Sequence, residues 1–149
     1  MALAFPNVRF HFIVAGDTVP TNSMFYTVPH VKETYTDLFT KVVSWMNWVV
    51  ESSDCQYLFK IDDDHYLRVM VLLQHLSKLS GGSEHYFGAH RWDNSLVVSD
   101  LSSPWAMSNV LNRTTYPPYF AGAGYGLSRM LAVYVTKRSM GKHYNVEDA

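Results

Sequence analysis

Apolar and polar residues alternate over residues 8–14, where Val8, Phe10, Phe12 and Val14 share one side, and Ala15-Gly16-Asp17 ends the run. A period of two predicts a β-strand. Residues 18–29 are rich in turn formers and read as a loop. From residue 35 to 52 the period changes. Asp37, Thr40, Lys41, Ser44, Asn47 and Glu51 recur at helical spacing and form one narrow polar stripe on an otherwise apolar segment. That pattern predicts a helix buried on a broad face against a sheet. Residues 56–61 form a short apolar run suited to a buried strand. Residues 67–79 return to a helical pattern and end at Ser80-Gly81-Gly82, where glycine can take a left-handed cap. Residues 86–89 read as a short strand, residues 90–115 as loop, and Tyr116-Pro117-Pro118-Tyr119 as a rigid extended break. Residues 128–139 form a last helix. The alternation of strand and helix predicts a single α/β domain over residues 1–149, with a mixed, partly parallel sheet flanked by helices.

At 149 residues, the chain is long enough to bury a core. Its net charge of −1, with no basic run, removes the electrostatic footprint of a nucleic-acid binder. A nucleotide ligand remains compatible, because a metal can neutralise its phosphates. Cys55 is the only cysteine, so the chain closes no internal disulfide, which taken alone favours a reducing compartment. The most apolar run, residues 42–50, is interrupted by Ser44 and Asn47 and is too short to cross a bilayer. Asn112-Arg113-Thr114 is an acceptor triplet for N-glycosylation, a modification relevant only in a secretory lumen.

The chemistry concentrates at Asp62-Asp63-Asp64. Three adjacent carboxylates repel one another and stay ionised only beside a cation or in open solvent. Tyr57-Leu58-Phe59-Lys60-Ile61 leads straight into them. They are therefore expected at the carboxyl edge of a buried strand, where open α/β sheets place their ligands. Alternation along an extended backbone would set Asp62 and Asp64 on one side and Asp63 on the other. Two oxygen donors on one side suit Mn²⁺ or Mg²⁺; a solvated acidic loop is the other reading of the pattern. The same alternation would point His65 away from Asp64, behind the ligands or into packing. From Gly122, glycine occupies every second position to Gly126. A dinucleotide fingerprint fails there, because Leu127 stands in the third glycine place, so spacing alone favours a turn entering the last helix. No nucleophile elbow or P-loop is present.

Four blocks in order resemble the β-1,3-galactosyltransferase and β-1,3-N-acetylglucosaminyltransferase family (glycosyltransferase family 31), to which Fringe-type enzymes are related. The first is Glu33-Thr34-Tyr35 with Asp37-Leu38, Lys41 and Trp48. The second is Phe59-Lys60-Ile61-Asp62-Asp63-Asp64. Tyr116-Pro117-Pro118-Tyr119 with Gly122, Gly124, Tyr125 and Leu127-Ser128 makes the third, and Glu147-Asp148 the fourth. The resemblance implies a GT-A-type nucleotide-sugar-binding fold. It also implies an inverting, metal-dependent transfer of galactose or N-acetylglucosamine from a UDP-sugar to an acceptor glycan on protein or lipid, in a β-1,3 linkage. In that frame Asp64 and Asp62 hold Mn²⁺ (or Mg²⁺), and Asp62 and Asp63 order the donor. Gly122 and Gly124 line the donor-sugar pocket, Tyr119 and Tyr125 shape the acceptor side, and Lys41 and Glu147 contribute to substrate binding. Asp148 is the base that deprotonates the acceptor hydroxyl.

The resemblance further implies a Golgi-lumen enzyme with a membrane anchor in the full-length protein, outside these residues. The family's segments before Val8 and after Glu-Asp-Val have no counterpart here, so weak or no turnover is expected of this chain alone. Arg68, Pro104 and His30 depart from the family pattern and bear on donor or acceptor choice. Two other functional classes follow from the same residues: a non-catalytic remnant of such an enzyme, and a metal-dependent hydrolase or cation-binding module.

Overall fold

The polar stripe predicted on residues 35–52 is the solvent side of the longest helix. In the computed structural model, which describes residues 5–18, 24–79, 83–103, 106 and 113–139, a 3₁₀ turn over Tyr35–Asp37 leads into helix α1, Leu38–Ser52. The helix buries Phe39, Val42, Val43, Trp45, Met46 and Val49. Burying an aliphatic or phenyl side chain contributes about 1.5–3 kcal/mol. That outweighs the few tenths of a kcal/mol of helix propensity forfeited at each valine. It also outweighs the lack of a side-chain hydrogen bond at the N-cap Asp37, worth about 1 kcal/mol. Tertiary packing, not local preference, holds α1.

Before α1, strand β1 (Phe12–Ala15) pairs in parallel with strand β2 (Phe25–Val28). β1 is shorter than the predicted run, and its facing is reversed: Ile13 packs against the core, whereas Phe12 is exposed and its ring meets the tilted Phe25 ring at 5.2 Å. β2 lies inside the segment read as loop. Its Phe-Tyr-Thr-Val sequence has strand composition, but the surrounding Thr, Pro, Asn and Ser residues hide it in a window average.

After α1 come β3 (Tyr57–Ile61), helix α2 (Val69–Leu76), β4 (Tyr86–Gly88), β5 (Arg91–Trp92), β6 (Tyr119–Phe120), β7 (Gly124–Ser128) and helix α3 (Arg129–Ser139). β3, β7 and β4 form a three-stranded antiparallel sheet with β7 in the middle, and β5 and β6 form a short antiparallel ribbon. The expected α/β character therefore holds. It is delivered as a parallel pair, a three-stranded antiparallel sheet and a ribbon. α2 is shorter than the predicted helix and ends in turns over residues 77–79; the Gly81-Gly82 cap lies outside the described residues.

The core joins Val42, Trp45, Met46 and Val49 of α1 to Leu58 of β3, Tyr125 and Leu127 of β7, and Ala132 of α3. Ala132 is fully buried, and its small side chain lets α3 pack close to α1. Arg129 fastens this junction. Its guanidinium donates to the carbonyls of Ser53 (2.5 Å) and Val50 (2.6 Å), and its N–H donates to the Gln56 carbonyl (2.8 Å). A cation at the last carbonyls of α1 also complements the negative end of the helix dipole.

β7 corrects the reading of the glycine segment. Gly124 and Gly126 belong to the central strand, not to a turn. Gly126 is paired with Phe59 on one side and Phe87 on the other, and the two rings lie 6.1 Å apart across it. A Cβ there would sit 2.4 Å from Phe87 Cζ and 2.9 Å from Phe59 Cδ2, whereas one on Gly124 would meet nothing nearer than 3.6 Å. The glycine period thus marks space for aromatic rings.

Gly126→Ala is expected to lower stability by about 1–3 kcal/mol through overpacking. Gly124→Ala is expected to leave it nearly unchanged. Thermal or urea unfolding of the two variants side by side checks the pair; equal losses would refute the ring-space argument.

Candidate functional site

Lys60 is the fourth residue of the apolar β3 segment, on the side that faces the core. Its side chain is only 6% exposed. A charge cannot stay there unpaired. The ammonium reaches the end of the sheet, donates to the Gly122 carbonyl at 2.5 Å and pairs with Asp62 Oδ1 at 2.7 Å. It also lies 5.8 Å from the centre of the Tyr125 ring. The backbone repeats the connection, because the Asp62 N–H donates to the Ala123 carbonyl at 3.1 Å. The first aspartate and the glycine turn are therefore one unit, and Asp62 is held with one carboxylate oxygen committed to Lys60.

Beyond Asp62 the chain stops being extended. The His65 N–H returns to the Asp62 carbonyl at 3.2 Å, closing a turn through Asp63 and Asp64. Asp62 and Asp64 still group together, apart from Asp63, but the direction expected for His65 is overturned. The turn carries His65 back beside Asp64, with Nδ1 2.5 Å from Asp64 Oδ1. One ligand atom each from Asp62, Asp64 and His65 lies within 4.8 Å of the others. Asp63 is exposed and outside that group. An octahedral ion with bonds of about 2.1 Å needs donor atoms roughly 3–4 Å apart. Small side-chain rotations meet this, and two carboxylates with one imidazole form a donor set that a divalent cation accepts. The residues fit such an ion.

The other expected site residues divide. Gly122 and Gly124 adjoin the triplet, with the Gly124 N–H closing the turn onto the Ala121 carbonyl at 3.2 Å. The Ala121 N–H in turn donates to the His90 carbonyl at 2.8 Å, which brings the loop after β4 to the same edge. Tyr119 is in β6, half-buried. Tyr125 is 5% exposed and belongs to the core, so its ring packs under the site instead of lining it. Lys41 is engaged elsewhere: it pairs with Glu33 at 2.7 Å, and the other Glu33 oxygen accepts the Ala15 N–H at 2.6 Å, tying α1 to the end of β1. Glu147 and Asp148 lie outside the described residues. Lys60 and His65 are the two members that the sequence reading missed. The first was visible as a lysine inside an otherwise apolar strand, which must find a counter-charge. The second depends on a turn that alternation does not anticipate.

Burial alone would raise the Glu33 pKa, but the Lys41 hydrogen bond, the Ala15 N–H and the Lys41 charge outweigh it, and the carboxyl sits below its ordinary 4.5.

Residues 27–149 match the galactosyltransferase family. The chain is similar to N-acetyllactosaminide beta-1,3-N-acetylglucosaminyltransferase 2 of Mus musculus, 28% identical over 128 residues, covering 78% of this chain and 30% of that protein. It is similar to UDP-GalNAc:beta-1,3-N-acetylgalactosaminyltransferase 2 of Xenopus tropicalis, 25% identical over 122 residues, covering 80% of this chain and 24% of that protein. With beta-1,3-galactosyltransferase 1 of Mus musculus it shares 28% identity over 110 residues, covering 72% of this chain and 34% of that protein. The chain thus spans about a quarter to a third of the length of these curated relatives.

A depressed folded pKa makes the Glu33 contribution complete above 4.5 and loses it as pH falls through the folded value. Glu33→Gln should therefore lower stability at neutral pH by less than about 1 kcal/mol, because the pair is partly solvated. Its deficit against the wild type should shrink as the pH is taken below 4.5, read from melting curves. Lys60→Met removes the donor to Gly122 and the counter-charge of Asp62. It should cost about 1–3 kcal/mol and speed amide exchange at Asp62 and Gly124. Unchanged exchange at both amides would contradict the coupling of the two segments.

Proposed function

The chain belongs to the galactosyltransferase family, and from that premise we propose that it carries the donor-binding part of a GT-A-type hexosyltransferase domain. The reaction is transfer of galactose or N-acetylglucosamine from a UDP-sugar to a hydroxyl of a glycan on protein or lipid, with inversion and in a β-1,3 linkage. The observation that carries this reading is the grouping of Asp62, Asp64 and His65 at a strand end, bonded through Lys60 and Asp62 to the Gly122–Gly124 turn. The relatives' names share the β-1,3 linkage and differ in the sugar, so they support the linkage more than the choice of donor.

In this reading Asp64 and Asp62, with His65 beside them, hold Mn²⁺ or Mg²⁺; the imidazole nitrogen tilts the preference toward Mn²⁺. When bound, the ion neutralises the diphosphate and stabilises the departing nucleoside diphosphate. Asp62, fixed by Lys60, keeps its second oxygen for the ion or the ribose. Asp63, on the outer side of the turn, orients the pair from solvent. The bare backbone at Gly122 and Gly124 leaves room for the donor sugar to approach. Tyr119 stands on the acceptor side, and Glu147 contributes to substrate binding. Asp148 accepts the proton of the attacking hydroxyl. The cellular setting proposed by the same premise is the lumenal side of the Golgi membrane, with the anchor elsewhere in the full-length protein. Among the described residues no helix is long and apolar enough to cross a membrane.

Calorimetric titration with UDP is expected to show binding that depends on Mn²⁺. Asp64→Ala should weaken it by at least roughly tenfold, and Asp148→Ala should leave it nearly intact. Equal affinity of the Asp64 variant and the wild type would remove the central assignment.

A further inference from the structure

The β5–β6 ribbon presents an aromatic surface that the donor site does not use. Trp92 pairs with Tyr119, and Arg91 with Phe120. Cross-strand partners share a face. Phe120 packs toward the core and meets the Tyr86 ring at 4.9 Å. The Trp92–Tyr119 pair therefore lies on the other face, where the Tyr119 ring meets the buried Tyr116 at 5.8 Å and Trp92 is 46% exposed. The His90 ring, on the same side as Trp92, meets the indole edge-on at 4.5 Å and braces it. On the opposite side Arg91 pairs with Asp93 at 3.0 Å.

The position of this surface follows from the sheet order. β7 lies between β3 and β4, so Asp62 and Ala89 flank the start of β7 at one end of the sheet, Asp62 bonded to Ala123 and Ala89 to Gly124. Two strand spacings separate them, roughly 10 Å. Trp92 stands three residues beyond Ala89, about 10 Å of extended chain. An exposed indole on the loop that His90 joins to Ala121 of the glycine turn offers a flat apolar face suited to the C–H face of a hexose.

We propose that Trp92, with Tyr119 across the ribbon and His90 behind it, forms a stacking subsite for a hexose of the acceptor glycan. The proposal rests on the reading of Asp62, Asp64 and His65 as the donor site, since that reading makes the adjacent sugar an acceptor. Trp92 selects acceptors that present a pyranose C–H face and takes no part in the chemistry.

Saturation-transfer NMR with methyl β-lactoside on the full chain, with and without UDP and Mn²⁺, tests it. Transfer to the wild type is expected, reduced at least about fivefold in Trp92→Ala. The affinity for UDP with Mn²⁺ should stay unchanged. Trp92→Phe, which keeps an aromatic ring at the position, identifies the Trp92 indole N–H signal by its disappearance. That signal should move when methyl β-lactoside is added to the wild type, a readout that does not depend on the alanine variant folding. No transfer to the wild type, undiminished transfer in a folded Trp92→Ala, or an unmoved indole signal would each overturn the subsite. Trp92-dependent lactoside transfer without Mn²⁺-dependent UDP binding would support the sugar surface and sink the donor reading alone.

Discussion

Lys60 carries a charge on the core-facing side of a strand and discharges the cost of burial at the sheet's end, on Asp62 and the Gly122 carbonyl. Much of the candidate site depends on that contact. It fixes the aspartate that begins the acidic turn, and it holds the glycine turn against the same strand end. Removing Asp62 would leave the buried Lys60 ammonium without its counter-charge, which is more damaging than the absence of the pair altogether. The ion pair therefore works less as a source of stability than as a device that gives Asp62 one position.

The rest of the site is built outward from that anchor by backbone geometry. A turn through Asp63 and Asp64 returns His65 to the first aspartate. The neighbouring strand contributes bare backbone at Gly124, and the loop after β4 is pulled in through the His90 carbonyl. Beneath these loops Tyr125 and Leu127 belong to the same core as α1, so the rigidity of the site is inherited from helix packing.

Elements whose apolar residues kept a clean period were legible in the sequence. α1 shows a polar stripe on a buried cylinder, β3 an apolar run, and α3 a helical pattern; each stands within a few residues of its expectation. β2 was concealed by the turn-forming residues around it, and β7 by its glycines, because a strand that makes room for two phenyl rings reads locally as a turn. At the site, the acidic triplet and its place at a strand end were readable. The membership of His65 was not, since periodicity describes the strand and not how the chain leaves it. Tyr125 shows the converse: its motif position suggested a site residue, and its burial makes it core.

The antiparallel union of β3 with β7 has a bearing on biosynthesis. Gly122, which receives the Lys60 ammonium, follows it by 62 residues. At a ribosomal rate of roughly 5–20 residues per second, the nascent β3 waits about 3–12 s for its neighbour. Throughout that interval an apolar strand with an open hydrogen-bonding edge is exposed to whatever else is in the compartment. A chaperone-rich environment during translation would protect this stretch until β7 arrives.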